Sequence, residues 1–383
     1  MTVTSAAGFR AAGVAAGLKA SGDLDMAVIV NDGPRQAAAG VFTANRCKAN
    51  PVLWSEQALA AGVAHAVVVN SGGANCYTGA DGFAVTHRTA EVVAEALGVG
   101  AVDVQVCSTG LIGLLNDADT VARGALAAVD ALTADGGDAA ARAIITTDSV
   151  PKQAAVTGAG FTVGGIAKGA GMLAPALATM LVFLTTDADV DAATCDGALR
   201  AATAGTFDRL DSDGCMSTND TVLLLASAAS GTTPARTEFF EAVRAVCHDL
   251  AMQLLADAEG ADHEIAIEVR GAASESDAVE VARSVARSNL FKCAVYGRDP
   301  NWGRVLASIG TTSAAFDPSD LDVALNGVWV CRASTPAEDP STIDLQPREV
   351  HVRIDLKSGP ASATVWTNDL TVAYVHENSA YSS

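Results

Sequence analysis

Between Lys168 and Ala188 the chain reads KGAGMLAPALATMLVFLTTDA, and the residue there best suited to chemistry is Thr179. Glycine and small residues suited to a loop fill the first half, an apolar run suited to a buried strand fills the second, and Thr179 stands at the seam. A threonine hydroxyl is a poor nucleophile at neutral pH. Its own α-amine, with an ordinary pKa of about 7.7 to 8.0, would serve as a general base if the preceding peptide bond were cut. The surroundings suit that cut: Ala178 is small, Gly169 and Gly171 let the upstream backbone strain, and MLVFL can anchor the downstream side as a strand. Attack of the hydroxyl on the Ala178 carbonyl would give an ester, and water would then release two chains. From the pattern alone, a threonine that simply begins a buried strand remains an open alternative.

Four glycine-bearing turns offer further chemistry. NSGGAN (70–75) and CSTGLIG (107–113) both follow strand candidates, where an α/β protein exposes backbone N–H groups, so either could bind an anion. Neither fits GxGxxG or GxxxxGK[ST], and each also reads as a plain tight turn. VGGIAKGAGM (163–172) sets Lys168 between glycines, and YGRDPNWGR (296–304) sets two arginines beside Asp299, Asn301 and Trp302. Taken alone, both read as loops, and Lys168 and Glu259 read as solvated or structural charges. The eight cysteines show no CxxC pair and the six histidines no HxxxH or HExxH pair, so reduced thiols and no metal are expected.

Stepping outward, the elements that must hold these residues alternate along the whole chain. Period-two and continuous apolar runs predict strands over 25–32, 40–45, 65–72, 103–110, 179–187, 221–228, 263–271, 322–331 and 349–356. Three-and-four spacing predicts helices over 84–97, 118–133, 190–204, 236–256 and 276–289. The class is α/β, and because several strands follow one another directly, a layered sandwich with antiparallel pairing fits better than a doubly wound nucleotide fold. EGADHEIAIEV introduces a smaller carboxy-terminal α/β unit from about residue 263. At 383 residues and 50% hydrophobic content the chain can bury a large core. With 24 basic against 44 acidic residues and a formal charge of −20, a nucleic-acid partner is excluded and small molecules are expected. No apolar run reaches the roughly eighteen residues of a membrane span. Arg10 and Lys19 interrupt what a signal peptide would need as an apolar core, so a cytoplasmic protein is expected.

Six segments, in order along the chain, carry a family resemblance: CSTGLIG, ITTDSVPKQ, the A-T-M-L seam, STNDTVLLL, YGRDPNWGRVLASIG and the terminal ENSAYSS. Together they resemble the ornithine acetyltransferase (glutamate N-acetyltransferase) family of arginine biosynthesis over essentially the whole chain. The resemblance implies an αββα-type sandwich with mixed and antiparallel sheets plus the smaller unit, in a self-cleaving enzyme of the N-terminal-nucleophile kind. It implies cleavage between Ala178 and Thr179 into α (1–178) and β (179–383) chains that assemble as an α2β2 heterotetramer. Thr179 would then carry acetyl from N-acetylornithine to glutamate by a ping-pong route, with Thr109 and Gly110 as the oxyanion hole. By family position, Thr146, Lys168, Glu259, Asn378 and Ser383 join Thr179 as substrate contacts. Charge assigns Lys168 to the substrate α-carboxylate, Glu259 to the ornithine side-chain ammonium, and Thr146 and Asn378 to orientation; the Ser383 terminal carboxylate could also contribute. No resident cofactor is expected, with acetyl-CoA as a second acetyl donor in some members.

The chain departs from the family pattern in two places. Asp262 and His263 stand where a Thr-Lys pair follows EGA, and Cys215 and Met216 stand within the segment from Asp213 to Asp220. Both leave the substrate range open. A threonine amidohydrolase or aminopeptidase, separated from a transferase only by acceptor dependence, and an uncut binding protein are the other function classes compatible with the residues.

Overall fold

The computed structural model describes residues 2–172 and 180–380; Ala178, Thr179 and Ser383 lie outside the described residues. The amino-terminal part supplies strands β1 (Phe9–Val14), β2 (Met26–Asn31), β3 (Ala37–Phe42), β4 (Ala66–Asn70), β5 (Val104–Ser108), β6 (Lys152–Thr157) and β7 (Thr162–Lys168). Helices α1 (Asn50–Ala58), α2 (Gly79–Leu97), α3 (Ala118–Asp130) and α4 (Gly137–Ala143) lie between them. Beyond the seam come β8 (Leu181–Thr186), α5 (Ala192–Gly205), β9 (Thr221–Ala226) and α6 (Arg236–Ala256).

These strands form two sheets, ordered β1-β2-β4-β5 and β3-β9-β8-β7-β6. Strands β2, β4, β8 and β9 are buried at every residue, which requires cover on both faces. Alternation divides each strand between its two faces. Ile29 and Val67 of the first sheet meet Phe183 and Leu223 of the second in the central layer. Val28 and Val68 face Val93 of α2 and Ala125 of α3, while Val182 and Leu224 face Leu199 of α5 and Leu250 of α6. The result is the αββα sandwich, with parallel pairs β4/β5 and β8/β9 among antiparallel neighbours.

The carboxy-terminal part adds β10 (Glu264–Ala272), α7 (Glu275–Ala286), α8 (Asn289–Tyr296), α9 (Trp302–Ile309), β11 (Asp322–Leu325), β12 (Val328–Arg332), β13 (Thr335–Pro336), β14 (Glu349–Asp355), β15 (Ala361–Asn368) and α10 (Val372–Ala380). Its sheet, β13-β12-β11-β14-β10-β15, packs Ile267 and Val352 against Val281 of α7 and Ile309 of α9 in a core of its own. Burial alternates along β10 and β14, as expected where one face is covered more deeply than the other. Among the described residues no helix is long and apolar enough to cross a membrane.

Several local expectations need correcting. The single strand expected over 322–331 is a hairpin, because Asn326 and Gly327 both take positive φ (44° and 86°) and turn β11 back onto β12. The helix expected over 276–289 ends at Ala286, and Ser288 caps a new one by accepting from the Phe291 N–H. VGGIAK is strand rather than loop: a Cβ on Gly164 would lie 2.3 Å from the Thr2 carbonyl oxygen, so its glycine serves close packing. RDPNWGR is a loop only as far as Asn301, after which α9 begins. Strand β1, FRAAGV, escaped notice because alanine and glycine blur the alternation.

Candidate active site

A cavity of about 1060 Å³ opens where the ends of β5 and β7 meet the segments after α4 and α6 and the helix α10. Thr109, Gly110, Thr146, Lys168, Glu259 and Asn378 all line it. Thr179, Ala178 and Ser383 lie outside the described residues. The next cavity, about 690 Å³ and lined by Arg209, Arg283 and Arg287, contains none of the predicted residues.

One asparagine fixes the turn that carries Thr109. The Asn219 amide donates to the carbonyls of Ala74 (2.6 Å) and Ser108 (2.8 Å), clipping NSGGAN to CSTG. Asn70 strengthens the clip: its backbone carbonyl accepts from Thr109 N–H at 2.9 Å and its side-chain oxygen from Ser108 Oγ at 2.5 Å. Gly110 takes φ +120°, and a Cβ there would stand 3.0 Å from the Gly73 nitrogen, so only glycine fits the turn without strain. Both glycine turns flagged in the sequence thus border the cavity, through Gly72 and Gly110.

The charged groups form a buried lattice. Lys168, 1% exposed, donates from Nζ to Thr109 Oγ1 at 3.1 Å. Burial lowers its pKa; Asp148 opposes the shift and Lys152 adds to it. Asp148 accepts from the backbone N–H of Thr146 (3.0 Å), from that of Gly169 (2.6 Å) and from Lys152 Nζ (2.6 Å). Burial would raise its pKa, but Lys168 and Lys152 outweigh that and hold it below the usual carboxylate range. Lys152, wholly buried, also reaches Asp257 at 2.6 Å.

Glu259 is held in three ways. Its backbone N–H donates to the Ala170 carbonyl at 3.0 Å, and its carboxylate accepts from Thr147 Oγ1 at 2.7 Å and Asn378 Nδ2 at 3.0 Å. A Cβ on Gly171 would fall 2.5 Å from Glu259 Oε2, so the glycine leaves room for this carboxylate. On the same wall, burial together with Asp213 and Glu259 pushes the Tyr374 phenol up to about 12.

Next to the seam, the Met180 N–H donates to Asp220 Oδ1 at 3.0 Å. Asp220 is fully buried, and burial pushes its pKa well above the usual carboxylate range, opposed by the Met180 N–H and the Ser217 hydroxyl. Strand register brings the neighbouring chain together as well, pairing Leu181 with Lys168 on one side and with Thr221 on the other.

The sequence model of the ArgJ family matches residues 10–383. A relative from Streptomyces avermitilis, named arginine biosynthesis bifunctional protein ArgJ, is 63% identical over 383 residues, covering all of both chains. The chain belongs to the ArgJ family. It is therefore an acyltransferase of arginine biosynthesis. A relative of the same name from Streptomyces coelicolor is 61% identical, again over both full lengths. The crystal structure of the Bacillus halodurans arginine biosynthesis bifunctional protein ArgJ is 34% identical with a TM-score of 0.50, matching 52% of this chain and 98% of that one.

Against this ArgJ background, the two departures fall in different places. Cys215 lines the cavity itself. His263 is buried in the carboxy-terminal unit, with Nδ1 at 2.7 Å from Asp369 and Nε2 at 3.0 Å from the Leu345 carbonyl. The RDPNWGR segment also lies away from the cavity: Trp302 packs on the carboxy-terminal core and Arg304 donates to the Leu290 carbonyl. Asp148, Lys152, Asn219 and Asp220 escaped the sequence reading, although ITTDSVPK and STND contain all four.

Proposed function

We propose that the chain cuts itself between Ala178 and Thr179 and that the freed Thr179 transfers acetyl from N-acetylornithine to glutamate. The Thr179 hydroxyl attacks the acetyl carbonyl, its α-amine takes the hydroxyl proton, and Thr109 and Gly110 stabilise the charge on the tetrahedral oxygen. The intermediate collapses as the amine returns the proton to the leaving nitrogen of ornithine, leaving an acetyl ester on Thr179. The glutamate amine then attacks that ester, releasing N-acetylglutamate and restoring the hydroxyl. Every group the cycle needs is a side chain, a backbone N–H or the freed α-amine of the protein, so it calls for no resident cofactor.

The observation that carries this reading is the gathering of Thr109, Gly110, Thr146, Lys168, Glu259 and Asn378 around one cavity, beside the strand that starts at Leu181. Lys168 faces the substrate α-carboxylate and Glu259 the ornithine ammonium. The Bacillus halodurans chain is matched almost completely by about half of this one. The same reading makes the protein a cytoplasmic α2β2 assembly, with acetyl-CoA as a second acetyl donor to glutamate.

Intact-mass analysis of purified protein is expected to find two polypeptides with a new amino terminus at residue 179. Thr179→Ala should remain one chain and transfer nothing, whereas Thr179→Ser should cleave slowly. A Thr179→Ala protein still cut at that bond would point to an external protease. Acetyl transfer that needs glutamate separates the transferase from a hydrolase, which would release acetate whether or not an acceptor is present.

A further inference from the structure

The proposed ping-pong cycle presents one cavity with two side chains of opposite charge. Ornithine and glutamate share the α-amino-acid head but end in an ammonium and a carboxylate respectively. The Glu259 carboxylate, with the neutral Tyr374 phenol on the same wall, suits the ammonium. A wall of that sign alone would repel glutamate, so the cavity needs a cation for the second substrate.

Among the described residues, Lys168 and Lys19 are the basic side chains lining the cavity. Lys168 is bonded to Thr109 at the acetyl end, as described above. Lys19 stands elsewhere. Its Nζ donates to the carbonyls of Leu24 (2.8 Å) and Ile145 (2.9 Å), which orient it and, among the described residues, leave one of its three donors over; burial lowers its pKa, and Asp25, Asp23 and Asp148 oppose that shift. Its loop is pre-set, because the wholly buried Asp25 accepts from the N–H groups of Ala16 (2.6 Å), Leu18 (2.6 Å) and Lys19 (2.9 Å). Leu18 packs closely over Gly72, where a Cβ would fall 2.3 Å from Leu18 Cβ.

The short segment 145–147 links the two charges. Ile145 offers its carbonyl to Lys19, and Thr147 donates its hydroxyl to Glu259. Two residues span at most about 7 Å, so an ammonium and a carboxylate flank one stretch of cavity wall. We infer that Lys19 binds the side-chain carboxylate of the acceptor, the group that distinguishes glutamate from ornithine. This inference rests on the acetyl-transfer reading.

Steady-state transfer assays on Lys19→Met and Lys19→Arg test it, with N-acetylornithine as donor and either glutamate or glutamine as acceptor. Lys19→Met is expected to raise KM for glutamate about tenfold to a hundredfold, the usual worth of one charge-assisted hydrogen bond. KM for N-acetylornithine should stay the same or fall, since a like charge is removed from its ammonium. The variant should also lose the preference for glutamate over glutamine, and Lys19→Arg should keep most of it. Parallel rises in both KM values would make Lys19 a scaffold or a head-group contact and overturn the inference, as would an unchanged KM for glutamate. Wild-type protein that moves no acetyl at all would instead sink the transfer reading, and this inference with it.

Discussion

Thr109 meets two demands at once: it borders the cavity beside Gly110, and its oxygen takes a hydrogen bond from the buried ammonium of Lys168. In the proposed cycle, Thr109→Ala removes one oxyanion donor and leaves Lys168 short of a partner. We expect kcat to fall about a hundredfold to a thousandfold with little change in KM, and Thr109→Ser to recover most of the loss. Equal effects on kcat and KM would make Thr109 a binding residue instead. At this scale the sequence was legible where a short motif supplied cavity-lining residues, as Thr109 and Gly110 of CSTG do. It was opaque where partners are far apart: Asn219 acts on Ala74 and Ser108, and Lys152 on Asp257. Such pairs share no period and no motif, and only the folded chain brings them within reach.

Strand β8 is the element on which the proposed chemistry depends. Its sequence, LVFLTT, is apolar enough to be read as buried, and β9 beside it was legible for the same reason. The glycine-rich β7 on its other side was not, since backbone packing rather than side-chain pattern makes it a strand. The first amide after the seam, Met180 N–H, is anchored on Asp220. Asp220→Ala should therefore slow cleavage about tenfold or more, followed by the disappearance of the full-length band on a denaturing gel over time. Cleavage at the wild-type rate would confine Asp220 to a packing role.

For the molecule as a whole, both sides of the proposed cut build the same sheet: β3, β6 and β7 come from before residue 178, and β8 and β9 from after it. Buried charge ties the two sides as well, through Asp148–Lys152 reaching Asp257 and Thr147 reaching Glu259. The fragments should co-elute at neutral pH and part only in denaturant. Acid should loosen them, and the sign follows from Asp148. Its folded pKa lies below the unfolded value of about 3.9, so its contribution is complete above that value and drains away as pH falls through the lower folded one. Asp148→Asn should weaken stability at neutral pH by about 3 to 5 kcal/mol, because Lys152 and Lys168 lose a buried counter-charge, and should flatten this acid limb in thermal melts. An unchanged acid limb would place the titration elsewhere.

Interleaved strands also bear on how such a protein can be made. A gene divided at codon 179 would yield two products, neither able to complete the β3-β9-β8-β7-β6 sheet on its own. Each would carry naked strand edges, the usual seed of aggregation. In the proposed maturation, one polypeptide cut only after the sheet has closed would keep those edges paired.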